Sequence, residues 1–161
     1  MTVSLRASKD RVSDPANLDR SVEEVFRLML GADCVRDLAA PAGEPGALTA
    51  VVGFGGVLSG ACVLRCPEAA ACDIAARMTG MSFAGIDDTV KDAVGEICNM
   101  LAGAWKGHVP ELASRCGLSL PAVITGRDYN LRVQAPEFQL EHAYRFGKWR
   151  LGVTIVCDGL K

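Results

Sequence analysis

Along this chain apolar positions recur every three to four residues in some stretches and alternate in others. "LDRSVEEVFRLMLG" (18–31) places Leu18, Val22, Val25, Phe26, Met29 and Leu30 on one helical stripe. Asp19 or Ser21 can cap its start and Gly31 can end it. "PEAAACDIAARMTG" (67–80) has Pro67 at the first helical position and Gly80 past the last, a second helix. The longest is "VKDAVGEICNMLAGAWKGHV" (90–109), with Asp87 or Asp88 as its cap. Extended structure is predicted near 33–39, then across "LTAVVGFGGVLSGACVLRC" (48–66) as two strands around Gly55-Gly56. "GLSLPAVITG" (117–126) reads as one strand, and "FQLEHAYRFGKWRLGVTIVC" (138–157) as a second hairpin turning at Gly147-Lys148. "APAGEPGA" (40–47) and "RDYNLRVQAPE" (127–137) read as loops.

The two halves resemble each other. "VEEVFRLMLGA" (22–32) lies over "VGEICNMLAGA" (94–104) at a shift of 72 (96 minus 24). "FGGVLSGACVLRC" (54–66) lies over "FGKWRLGVTIVCD" (146–158) at a shift of 92 (152 minus 60). Matches this short also arise by chance; a true repeat of helix followed by strands predicts an α+β domain with pseudo-twofold symmetry. In that alignment Glu24 stands where Glu96 does, whereas Arg27 stands in the place of Asn99.

Length and composition narrow the possibilities. The 161 residues suit one domain, read as 17–161 behind a flexible segment 1–16. A net charge of -2 gives no electrostatic case for nucleic acid or for an anionic membrane. The polar start lacks the apolar core of a signal peptide, and no apolar run approaches the roughly 20 residues of a membrane span. Seven cysteines are present, an odd number without a Cys-x-x-Cys pair, and neither His108 nor His142 lies at metal-ligand spacing from them. The reading is therefore no metal, reduced thiols and a cytoplasmic setting, with Cys62 and Cys66 as small core residues on one strand face.

The chemistry is concentrated on the long helix. At about 100° per residue, with Asp88 at zero, Asp92, Glu96, Asn99 and Gly103 fall between about 20° and 80°. Val90, Ala93, Val94, Ile97, Cys98, Met100, Leu101, Ala104 and Trp105 occupy the opposite arc and predict the core face. Gly95 and Ala102, beside the polar stripe, are expected to lower its rim so that another protein can approach. A solvated face is the ordinary reading of such a stripe. Yet Gly95, Asn99 and Gly103 each weaken a helix relative to Ala by up to about 1 kcal/mol, an odd choice for a purely solvated face, and a packing neighbour is the other explanation for the glycines.

"DAVGEICNMLAG" followed by "LPAVITG" resembles the signature of the CheC/CheX/FliY phosphatases of bacterial chemotaxis. That signature has an acidic residue, then Glu-x-x-Asn, and about twenty residues later a Pro opening a strand; here these are Asp92, Glu96, Asn99 and Pro121. The likeness runs through nearly the whole chain, from a helix ending in "MLG" to a short helix ending in "MTG" and the motif helix. A single Glu-x-x-Asn, with Arg27 in the first half, matches the CheX type rather than the two-site CheC type. The family often has Asn-Ala after the Gly that ends the motif, where this chain has Ala104-Trp105, which predicts altered packing.

The resemblance implies a two-layer domain, an antiparallel-rich sheet packed by long helices, and a homodimer joined through its sheets. It implies hydrolysis of the aspartyl phosphate of a CheY-like response-regulator receiver. Asn99 would orient the attacking water and Glu96 would pair with the receiver's lysine. Asp88, Asp92, Gly95, Ala102 and Gly103 would contact that partner, and the Mg²⁺ would belong to the receiver, with no cofactor of this chain's own. The alternative is a catalytically silent module of the same fold that binds a receiver or a flagellar component. A further rival is a structural or dimerisation domain whose stripe is merely wet.

Overall fold

The computed structural model describes residues 9–39, 46–126 and 136–161. In chain order the elements are α1 (Lys9–Val12), α2 (Pro15–Leu30), β1 (Cys34–Arg36), β2 (Leu48–Gly56), β3 (Leu58–Cys66) and α3 (Glu68–Thr79). Then follow α4 (Asp88–Gly107), α5 (Pro110–Ala113), β4 (Cys116–Leu118), β5 (Ala122–Thr125), β6 (Phe138–Phe146) and β7 (Trp149–Leu160). The loops read at 40–47 and 127–137 lie largely outside the described residues.

Helix ends follow local chemistry. Helix α2 begins ahead of the expected Leu18, because Pro15 supplies a preset φ at the first turn and Asp14 caps it, accepting from the Ala16 N–H at 3.0 Å. Asp19 and Ser21 are therefore interior residues and not caps; Ser21 donates to the Asn17 carbonyl at 2.7 Å. Gly31 closes the helix in the left-handed region (φ 60), donating to the Arg27 carbonyl while the Ala32 N–H reaches Phe26. Of the segment read as flexible, residues 9–16 are helical or capping, with Val12 fully buried and Arg11 paired to Glu111 on α5; residues 1–8 lie outside the described residues. Pro67 serves as the N-cap residue of α3, one position outside the helix. Asp87 caps α4, accepting from the Val90 N–H at 2.9 Å.

All strand pairs are antiparallel, in the order β1-β6-β7-β3-β2-β4, with β5 also on β2. Exchanging β1 with β4, β2 with β6 and β3 with β7 reverses this order and leaves it unchanged, which is the pseudo-twofold the repeat predicts. The repeat-matched Phe54 and Phe146 occupy equivalent places, opposite Leu118 of β4 and Cys34 of β1. One sheet face, including Leu48, Val52, Leu64, Tyr144, Val153 and Ile155, is buried in one core with Phe26, Ile74, Ile97 and Leu101 of the helices. The domain is α+β in two layers.

The strand expected over 117–126 is broken. Between the pairs Phe54↔Leu118 and Val51↔Ala122, β2 advances three residues while the facing chain advances four, so one residue is extruded as a bulge. Pro121 has no N–H to offer β2 and falls in this break. Ser119 pins the break from the other side: its N–H donates to the Gly53 carbonyl at 2.9 Å and its Oγ accepts from the Gly53 N–H at 2.8 Å.

Candidate functional site

Helix α4 buries Val90, Val94, Ile97, Cys98, Leu101 and Trp105, which fixes its rotation and turns the opposite arc outward. Asp88, Asp92 and Glu96 are exposed, and Asn99 and Gly103 are half-buried. Glu96 and Asn99 are i,i+3 neighbours, about 5–6 Å apart at Cβ. Among the described residues neither side chain has a hydrogen bond or ion pair. Lys91 approaches Asp88 only at 4.0 Å.

The small residues beside the stripe do something other than expected. Gly95 and Ala102 are buried under this chain and are not open to a partner. The segment 118–123 folds over that side of α4. A Cβ at Gly95 would lie 3.2 Å from Val123 Cγ2 and 3.5 Å from Pro121 Cβ and Cγ. Gly103 faces Leu118 more loosely, at 3.9 Å from its Cδ1. What the helical wheel reads as a low rim is a seat for a wall, because angle on a wheel does not report what lies across from it. Within that wall Leu120 is 91% exposed. The sequence signal for it is an apolar residue set beside a Pro that breaks a strand.

The first-half counterpart is built differently. Glu24, at the place of Glu96, holds His108 Nε2 at 2.9 Å, and Arg27, at the place of Asn99, lies 3.7 Å from Asp33. Exposed Glu23 stands in the place of Gly95 (95 minus 72), and among the described residues no wall seats there. Among the described residues, only the second half pairs an unpartnered carboxylate with an unpartnered amide on this face.

Other chemistry is structural. All seven cysteines are free thiols, six of them buried; burial pushes Cys66 up to about 12 and Cys157 up to about 11, which keeps both protonated and poorly nucleophilic. Among the described residues no group of three His, Cys, Asp or Glu side chains could hold a metal ion, and no helix is long and apolar enough to cross a membrane. A separate cluster joins α2 to β6: the Tyr144 hydroxyl donates to Asp19 Oδ1 at 2.7 Å, and His142 Nδ1 lies 3.0 Å from the same oxygen. Trp105 packs on Phe54 with ring centroids 5.3 Å apart, and its Nε1 is buried without a partner.

The profile of the chemotaxis phosphatase CheX family matches residues 48–141, more than half of the chain. A CheY-P phosphatase CheX of Thermotoga maritima is 29% identical over 89 residues, 55% of this chain and 57% of that protein, so the match spans little more than half of that relative's length. The crystal structure of the chemotaxis protein CheX from Vibrio vulnificus superposes with a TM-score of 0.75 at 21% identity, covering 91% of this chain and 97% of that one. A chain of the CheX-CheY-BeF3-Mg²⁺ complex from Borrelia burgdorferi superposes with a TM-score of 0.69 at 19% identity, covering 88% and 96%. At these identities the solved structures establish the fold.

Proposed function

The chain belongs to the chemotaxis phosphatase CheX family, and from that premise we propose that it hydrolyses the aspartyl phosphate of a CheY-like receiver domain. The observation that carries the reading is the pair Glu96 and Asn99 on the outward arc of α4, unpartnered among the described residues. The Thermotoga maritima relative is a CheY-P phosphatase, and the Borrelia burgdorferi complex unites a CheX with a CheY, which supports a receiver as the partner.

Phosphoryl transfer asks mainly for position and charge stabilisation. A carboxamide has an acceptor oxygen and two donor hydrogens, so Asn99 can hold a water in line with phosphorus without needing to titrate. The water oxygen forms the new P–O bond as the bond from phosphorus to the aspartyl oxygen breaks. Inorganic phosphate leaves, and the receiver keeps its carboxylate. Glu96 pairs with the receiver's active-site lysine; an ion pair of this exposed kind contributes only about 0–1 kcal/mol, so its role is register over the phosphate. Asp88, Asp92 and Gly103 flank the contact. Mg²⁺ belongs to the receiver, this chain adds no cofactor, and a cytoplasmic homodimer is part of the same reading.

The test is Asn99→Ala, assayed by phosphate release from a phosphorylated CheY-type receiver. Loss of one positioning hydrogen-bonding group is expected to slow release by about 10²–10³-fold. Binding to the beryllofluoride-loaded receiver should persist. Unchanged activity in the variant refutes the role of Asn99, and an inactive parent that still binds the receiver establishes the silent binding module instead.

A further inference from the structure

We propose that Leu120 is a specificity-determining contact: it anchors the receiver through an apolar patch beside the receiver's phosphorylation pocket. The proposal rests on the phosphatase reading for the identity of the partner.

Exposure alone would say little, since single exposed leucines are ordinary on protein surfaces. What distinguishes Leu120, 91% exposed, is the backbone beneath it. On one side Ser119 is tied to Gly53 by two hydrogen bonds of 2.9 and 2.8 Å. On the other, the Pro121 ring closes on the bare backbone of Gly95 in α4. The bulge therefore presents Leu120 from a clamped segment, and a side chain held on a fixed backbone loses less conformational freedom on binding than one on a mobile loop.

Its position is set by the same contacts. Gly95 immediately precedes Glu96 and lies one turn before Asn99, so the segment carrying Leu120 is the wall along one side of the stripe. A standard interface covers about 800 Å² per partner, a disc of roughly 16 Å radius. Leu120 is one residue, about 3.8 Å of chain, from the Pro121 that touches the helix. A receiver centred on Glu96 and Asn99 covers that distance.

The pseudo-symmetry points the same way. The first half has exposed Glu23 where Gly95 stands, and among the described residues it has no counterpart of β5 or its bulge. Because Glu96 and Asn99 address groups common to any receiver, discrimination between receivers falls to such a flanking contact.

The experiment compares Leu120→Ala, Leu120→Asp and Leu120→Met with the parent, using CheY-type receivers phosphorylated by acetyl phosphate for turnover and loaded with beryllofluoride for binding. Leu120→Ala is expected to raise KM and the beryllofluoride-complex Kd about tenfold, and Leu120→Asp thirtyfold or more, with kcat at saturation within twofold of the parent. Leu120→Met should restore most of the affinity. Melting temperatures equal to the parent's exclude misfolding as the cause. Unchanged KM and Kd in Leu120→Asp overturn the proposal, and so does a shift in oligomeric state with unchanged receiver affinity, which would assign Leu120 to self-association. The phosphatase reading fails separately: an inactive parent would sink it and retained activity in Asn99→Ala would refute only the role of Asn99, whereas binding by the Leu120 series is read without turnover.

Discussion

Gly95 and Gly103 sit two turns apart in α4, and replacing each with alanine separates helix propensity from what lies across the helix. On propensity alone either change stabilises by about 1 kcal/mol, because Ala gives up less backbone freedom than Gly on entering a helix. At Gly103 the new methyl meets only Leu118 Cδ1 at 3.9 Å, an ordinary contact, so most of that gain should survive. For a chain of this size it raises Tm by about 2–4 °C per kcal/mol. At Gly95 the methyl arrives 3.2 Å from Val123 Cγ2 and 3.5 Å from Pro121, and neither is free to retreat. Val123 is held in β5 opposite Ala50, and Pro121 is held in the bulge. Gly95→Ala should therefore melt at or below the parent, about 1 kcal/mol less stable than Gly103→Ala, and Gly95→Leu should lose a further 1–3 kcal/mol to overpacking. Thermal and urea unfolding followed by circular dichroism measure both. Equal gains at the two positions would mean that the 118–123 wall does not seat on α4, and the placement of Leu120 would go with it.

Trp105 is buried with an unsatisfied indole N–H, so Trp105→Phe trades lost packing for relief of a donor whose desolvation costs about 1–3 kcal/mol; it should stay within about 1 kcal/mol of the parent. Trp105→Ala, which only opens a cavity, should cost about 3–5 kcal/mol, and a comparable loss in the Phe variant would reveal a hidden hydrogen-bond partner. His142 gives a pH dependence. Burial lowers its pKa below the ordinary 6.5 although Asp19 pulls it back up, so the fold holds the imidazole neutral while the unfolded chain can protonate it. That stability is present above pH 6.5 and is lost as pH falls toward the lower folded pKa, at up to about 1.4 kcal/mol per pH unit. Urea midpoints between pH 7.5 and 5.5 should fall in the parent, and His142→Gln should flatten the slope; an identical slope in the variant assigns it to another group.

Much of this architecture was legible because local rules and the fold agree. The stripes of α2 and α4, the αL glycines at 31 and 80, and the two hairpins all follow from spacing and turn chemistry. The start of α2 was misplaced where Asp14-Pro15 was read as part of a flexible arm, although a capping residue followed by Pro is itself a start signal. The site's polar half was legible for a similar reason: Glu96 and Asn99 are on the arc opposite a continuous apolar face, and periodicity alone puts them outside. Its other half was not. Whether Gly95 faces a partner or this chain's own β4–β5 bulge depends on a strand some twenty-five residues later, whose break in turn depends on Gly53 offering Ser119 both an N–H and a carbonyl. No window of sequence contains those three segments together.

The order of the strands also governs when the protein can exist at all. Strand β7, the last of the described elements in sequence order, is not an edge strand but lies at the centre of the sheet, between β3 and β6. During synthesis the first half emerges with β3 lacking its neighbour, and β1 and β2 await strands from the second half. Such unpaired strand edges are the surfaces that recruit other chains. The nascent polypeptide carries them until Trp149–Leu160 has been made and can enter between β3 and β6. Two halves that look like separate units thus have one shared moment of completion, when β7 enters the sheet.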